Sequence, residues 1–237
     1  MSAPYFYEPQ INLGATSFTC SEETSKHCAQ VLRMQGGDAI QITNGMGGVF
    51  EATIVEAHKK NTTVQIIKEH AVASASQKII LGISILKNAV RLEWLFEKAT
   101  EMGVHTIVPL LCERTIHERF KTERMQQIIL SAMIQSQQTW LPVLTEPTPF
   151  QQFIEQATAF QKLIAHCQDL EKKSLKSQIK PKGNHLILIG PEGDFSATEI
   201  TLATSMGYTG VSLGENRLRT ETAAIVACHS VAYSNEV

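Results

Sequence analysis

The sequence predicts an α/β fold: a parallel sheet covered by helices on both faces, preceded by a small β-barrel. Three features of the 237 residues carry this prediction. Up to about residue 72 the chain shows short alternating runs with turn signals. Beyond that, apolar runs alternate with amphipathic helical segments, the pattern of a doubly covered parallel sheet. Between the two lies Ala71-Val72-Ala73-Ser74-Ala75-Ser76, a small-residue linker. Two domains are therefore expected, 1–72 and 73–237.

In the first domain, residues 39–43 alternate apolar and polar, Asn44-Gly45 supplies a turn, and 49–55 resume the alternation. Asn-Gly between such runs is a hairpin signal because both residues tolerate positive φ. Residues 62–67 form a further strand. One helix is expected over 21–34, opened by Ser21 with Glu22 and Glu23 in its first turn. In the second domain, 78–86 is an apolar run suited to a strand buried on both faces. A helix over 88–103 carries Ala89, Leu92, Leu95, Phe96 and Ala99 on one stripe, with Gly103 at its C-terminus. Next come a strand at 104–111, a helix at 122–138, a strand at 141–144 and a short helix after Pro149. Strands at 163–165 and 185–189, a helix at 196–206, a strand at 210–213 and a helix at 220–233 complete the order.

Composition narrows the function. A formal net charge of -2 excludes a polycation, so nucleic acid would have to meet a local patch. The five cysteines (Cys20, Cys28, Cys112, Cys167, Cys228) form no Cys-x-x-Cys pair, which argues for a reducing compartment and against a zinc site. Cys28, Cys167 and Cys228 each adjoin a histidine, but neighbouring residues point to different sides of an element and chelate poorly. They read as buried thiols, and no metal is expected. The N-terminal residues show no basic stretch followed by an apolar one, and no run reaches the roughly 18 apolar residues of a membrane span. The expectation is a soluble, cytoplasmic protein.

In open α/β sheets, ligands collect beyond the carboxyl ends of the strands. Two segments fit that location. In Ile189-Gly190-Pro191-Glu192-Gly193-Asp194-Phe195-Ser196 a strand enters a glycine turn, and Ser196 with Glu199 forms a capping box. A tight strand-to-helix turn accounts for the glycines and the cap; it gives no reason for Glu192. In Leu213-Gly214-Glu215-Asn216-Arg217-Leu218-Arg219-Thr220-Glu221-Thr222 a second strand meets a glycine, and Thr220 can cap the helix. Glu221 suits the helix dipole; Arg219 opposes it, and so calls for an anionic partner or a task. No Gly-x-Gly-x-x-Gly lies between a strand and a helix, and neither a Gly-Lys-Ser/Thr loop nor a Gly-x-Ser-x-Gly elbow occurs.

These two segments together resemble the small-subunit ribosomal RNA methyltransferase E family, part of the SPOUT superfamily. The resemblance extends to Val31-Leu32-Arg33-Met34, to Glu97-Lys98-Ala99-Thr100-Glu101-Met102-Gly103-Val104, and to Pro109-Leu110 with Glu113-Arg114. It implies a PUA-like barrel for RNA and an α/β domain with a trefoil knot. It also implies S-adenosylmethionine as methyl donor, a homodimer, and N3-methyluridine in 16S ribosomal RNA as product, with the assembled 30S subunit as partner. The cofactor would be held by Ile189, Gly190, Pro191, Glu192, Gly193, Leu213, Gly214, Leu218 and Thr220, with His166 on the neighbouring strand end. Arg219, with Arg114 as a second cation, would stabilise charge on the uracil oxygens. Glu221 or Glu192 would take or orient the N3 proton.

Two departures stand out. Many relatives carry Glu-Gln-Ser-Gly-Arg where this chain has Ile134-Gln135-Ser136-Gln137-Gln138, and a glycine is common at the position of Asp194. Lys162, Lys172, Lys173, Lys176, Lys180 and Lys182 surround a polar loop containing Asp169 and Glu171, a candidate RNA contact. Other readings are a non-catalytic RNA-binding protein with a degenerate domain, and a SPOUT enzyme acting on another RNA or base atom.

Overall fold

The computed structural model describes residues 3–116, 119–159, 161–170, 172–181 and 183–235. The chain divides into two compact units, one holding residues up to Ser74 together with Met133–Leu141, the other Ala75–Ala132 and Pro142 onward.

The first unit begins with β1 (Tyr5–Tyr7) and β2 (Ser17–Thr19). Where one α-helix is predicted over 21–34, the chain makes the short α1 (Glu22–Lys26), which widens into a π-helical turn at His27–Val31. Ser21 caps α1 as expected, its hydroxyl accepting from the Thr24 amide. The widening follows from the bond that Leu32 N–H makes to His27 O, five residues back. Next come β3 (Ala39–Thr43), β4 (Gly48–Glu56) and β5 (Thr63–Ala71). The sheet order is β1-β3-β4-β5-β2, with β1 and β3 parallel and the remaining pairs antiparallel. In the predicted hairpin, Oδ1 of Asn44 accepts the amides of Met46 and Gly48, both at 2.9 Å, so the turn is built on the asparagine side chain. Phe6, Ile40, Ile42, Phe50, Ile54 and Val64 form the core.

The second unit contains β6 (Ile79–Ser84), α2 (Ala89–Glu101), β7 (Thr106–Leu111) and most of α3 (Thr122–Gln135). Then follow β8 (Val143–Leu144), β9 (Thr148–Pro149), α4 (Phe150–Gln156), β10 (Gln161–Ala165), β11 (Lys173–Ser174) and α5 (Leu175–Gln178). β12 (His185–Ile189), α6 (Ala197–Ser205), β13 (Thr209–Ser212) and α7 (Thr220–Asn235) close the chain. Its sheet runs β11-β13-β10-β12-β6-β7-β8, with β9 beside β7, and every pairing is parallel. All five residues of β12 are buried, as a central strand with helices on both faces requires. The order sets β13, β10 and β12 side by side, so their carboxyl ends open onto one region. Among the described residues, no helix is long and apolar enough to cross a membrane.

α3 stops three residues before its predicted end. Gln137 N–H bonds to Ile134 O and Gln138 N–H to Met133 O, the two bonds of a Schellman cap, with Gln137 at φ 54°. Glycine takes this conformation freely, whereas a side chain strains it. Gln137→Gly is therefore expected to stabilise the protein by roughly 0.5–1 kcal/mol in thermal or denaturant unfolding.

Candidate functional site

Three strand ends build the site. Beyond β12, Asp194 N–H closes the glycine turn onto Pro191 O at 2.9 Å. Gly190 is required by packing: a Cβ there would lie 3.0 Å from the backbone nitrogen of Phe195. Phe195 is fully buried against Phe150, ring centroids 5.2 Å apart, and roots the turn in the core. Asp194 adopts φ 63°, and its side chain offsets the strain. Oδ1 accepts the Phe195 amide and Oδ2 the Cys167 amide, each at 2.9 Å, tying the turn to the end of β10. Asp194→Ala is expected to cost about 1–2 kcal/mol, since it removes both acceptors and keeps the strain. Asp194→Gly should recover the part due to strain, as thermal unfolding of the two variants will show.

Ser196 and Glu199 form the predicted capping box of α6. Glu199, itself buried, also accepts the Glu113 amide at 2.8 Å and so draws in the turn after β7. On that turn, Nη1 of Arg114 donates to Gly193 O at 2.8 Å. One carboxylate thus ties the helix start to the turn that bears Arg114.

At the end of β10, His166 is buried, and its Nδ1 has no protein partner among the described residues. Burial first, then the Lys172 ammonium, lowers its pKa below the ordinary imidazole value, partly opposed by Asp194 and a backbone hydrogen bond at Gln168. The loop that follows is closed on itself: Nζ of Lys172 donates to Gln168 O at 2.7 Å, and Nε2 of Gln168 to Phe195 O at 2.8 Å. Of the lysine cluster, Lys172 is thus engaged in the loop, and Lys162 lies 5.4 Å from the Tyr208 ring centroid. Lys173, Lys176 and Lys180 are exposed, and Lys182, like Glu171, lies outside the described residues.

Beyond β13, Gly214 has φ 128°, and Ser212 Oγ both donates to its carbonyl and accepts from its amide. Residues 213–219 then lead into α7, whose first two residues, Thr220 and Glu221, are buried.

These strand ends enclose a cavity of about 600 Å³. His166, the run 189–193, Leu213, Gly214, Leu218 and Thr220 all line it, and so does Arg114. Arg219 and Glu221 instead line a smaller adjoining cavity of about 250 Å³. Glu192, Arg217, Leu218 and Thr220 line both. In the smaller cavity, Arg91 Nε stands 3.6 Å from Glu221 Oε1, and Glu192 Oε1 accepts the Lys87 amide at 3.1 Å. Arg91 and the Glu199 tie were not foreseen, and Lys172, expected only as part of a lysine cluster for RNA, lines the larger cavity instead. Arg91 carried a readable signal, because a cation in the first turn of α2 opposes the helix dipole as Arg219 does.

The thiols of Cys20 and Cys112 are pushed up to about 12, and that of Cys28 to about 11, chiefly by burial. They are packing groups, whereas Cys167 is exposed and lines the larger cavity. Among the described residues, no three His, Cys, Asp or Glu side chains gather as a metal-ligand set.

Comparison with known proteins adds the following. Residues 73–232 match the RNA methyltransferase domain family, and residues 21–67 the RNA methyltransferase PUA domain family. The ribosomal RNA small subunit methyltransferase E of Synechocystis is 32% identical over 84% of this chain and 67% of its own. A protein of Legionella pneumophila, solved with S-adenosylmethionine bound as cofactor, is 31% identical and superposes with a TM-score of 0.88 over 99% of both chains. A ribosomal RNA small subunit methyltransferase E of Neisseria gonorrhoeae, also bound to S-adenosylmethionine, is 26% identical with a TM-score of 0.87 over 98% of both.

Proposed function

Because the chain belongs to the ribosomal RNA small subunit methyltransferase E family, we propose that it transfers the methyl group of S-adenosylmethionine to N3 of a uridine in 16S ribosomal RNA. Its architecture is that of the SPOUT methyltransferases, an α/β domain preceded by a PUA-like domain. The observation that carries the reading is the pair of adjoining cavities with four lining residues in common, which would seat a methyl donor and an acceptor base next to each other.

The larger cavity suits the cofactor. Its volume of about 600 Å³ lies in the range of small-molecule sites. The buried, unpartnered His166 Nδ1 calls for a polar group from a ligand. His166, the 189–193 turn, Leu213, Gly214, Leu218 and Thr220 would hold the cofactor, which when bound supplies an electrophilic methyl group on its sulfonium. The protein must then remove the N3 proton, because a neutral imide nitrogen is a poor nucleophile. Glu192 reaches both cavities and would accept that proton. Arg219 stabilises the negative charge developing on the uracil oxygens. Glu221, paired with Arg91, fixes the first turn of α7 and so the position of Arg219. Arg114 braces the turn through Gly193 O.

The PUA-like unit contributes RNA contacts, the assembled 30S subunit is the substrate form, and the reaction takes place in the cytoplasm. The active form is a homodimer, to which exposed Val90 and Trp94 on α2 and Tyr233 on α7 offer apolar surface; a monomeric mass in light scattering would refute it. To test the substrate, methyl-labelled S-adenosylmethionine is supplied with small subunits, large subunits or transfer RNA. Label is expected in small-subunit RNA alone, and labelling of either other RNA in its place overturns the assignment.

A further inference from the structure

The smaller cavity holds more guanidinium groups than the reaction requires. Three arginines, Arg91, Arg217 and Arg219, face two carboxylates, Glu192 and Glu221. The Arg91 charge is matched by Glu221 at 3.6 Å. Glu192 turns one oxygen to the Lys87 amide. Among the described residues, neither Arg217 nor Arg219 has a carboxylate within 4.0 Å, and both are exposed. The single negative charge that develops on the uracil gives work to one cation, Arg219, at its carbonyl oxygens. The other guanidinium is left over, and its planar fork of donors matches the oxygens of a phosphodiester or a carboxylate. Arg217 is that second cation, because it borders both cavities whereas Arg219 borders only the smaller.

We infer that Arg217 binds the phosphodiester flanking the target uridine, so that the smaller cavity seats a nucleotide as base and phosphate together. The Arg91–Glu221 ion pair acts as the fixed opposite wall, a positioning element that touches no substrate. This rests on the reading of the chain as an RNA methyltransferase. The same anion chemistry has a second source, the carboxylate of the methionine part of the cofactor, and the test separates the two.

The full chain and its Arg217→Gln and Arg217→Lys variants are bound to unmethylated small ribosomal subunits in the presence of S-adenosylhomocysteine, across about 50–200 mM salt. With Arg217→Gln, affinity at low salt should fall about tenfold. The slope of log affinity against log salt should flatten by about 0.7–0.9, the signature of one lost phosphate contact and not of a shifted loop. Arg217→Lys keeps the charge and should keep the slope while losing part of the affinity. The affinity for S-adenosylmethionine should stay within about twofold of wild type, well under the tenfold that one lost charged contact costs. A tenfold loss of cofactor affinity with an unchanged RNA slope would assign the anion to the cofactor carboxylate and overturn the proposal; so would a variant in which neither quantity moves. Wild-type protein that binds subunits but transfers no methyl group would defeat the enzymatic reading instead, while the comparison of slopes would still decide the role of Arg217.

Discussion

Replacing Arg219 with alanine is expected to lower the methyl-transfer rate by about 10²–10³, the usual consequence of removing one preorganised group that stabilises charge in a transition state. Loss of the N3 proton leaves the negative charge on a ring flanked by two carbonyl oxygens. A guanidinium beside them is worth most when the charge is fully developed. Arg219 lines the smaller cavity and not the larger, so its loss should act on the rate and leave cofactor binding nearly intact. Calorimetric titration with S-adenosylmethionine and single-turnover transfer to small subunits, measured on the same preparation, separate the two effects. A large loss of cofactor affinity with a preserved rate at saturation would remove Arg219 from the reaction and return it to cofactor binding. The residue is exposed at the mouth of a loop, so the variant should fold normally.

Phe195→Ala is expected to produce the largest stability change, about 3–5 kcal/mol, the cost of deleting a fully buried phenyl ring. The unfolding midpoint should drop by about 6–20 °C, at about 2–4 °C per kcal/mol for a domain of this size. The ring packs on Phe150 and fills the space that Gly190 leaves open, so its removal loosens the turn proposed to hold the cofactor. Thermal unfolding without ligand gives the stability term. Cofactor titration well below the new midpoint gives the functional one, and both should worsen. Phe195→Leu keeps most of the volume and should cost less than about 1.5 kcal/mol. A Phe195→Ala protein with an unaltered midpoint would show that the ring does not root the turn.

The parallel sheet was legible because its central strands are buried on both faces. Residues 78–86 and 185–189 read as unbroken apolar runs, and β6 and β12 lie within them. The strands β1, β2, β9 and β11 escaped notice, since two or three residues carry no usable period. The π-helical turn at His27–Val31 was hidden for a different reason, as it depends on a single shifted hydrogen bond that no residue type announces. Gln137 gave no helix stop because the residue that usually marks one, glycine, is absent there. In the site, the two C-terminal turns could be read because each is contiguous: a strand, a glycine, a cap and a charge without structural reason. Arg91 with Glu221, the Glu113 amide on Glu199, and Arg114 on Gly193 join residues about 80 to 130 positions apart. Such pairs come into being only through the strand order, which periodicity does not encode. The resemblance supplied what local chemistry could not, namely the expectation that both turns serve one ligand; in the structure both line one cavity.

The measurement that bears most directly on the central claim is the identity of the methylated nucleoside. Small ribosomal subunits from cells lacking any such methyltransferase are incubated with the protein and isotopically labelled S-adenosylmethionine, and their RNA is digested and analysed by mass spectrometry. N3-methyluridine at a single position of 16S ribosomal RNA is the predicted result. Label on any other nucleoside, or none despite measurable cofactor binding, would contradict it.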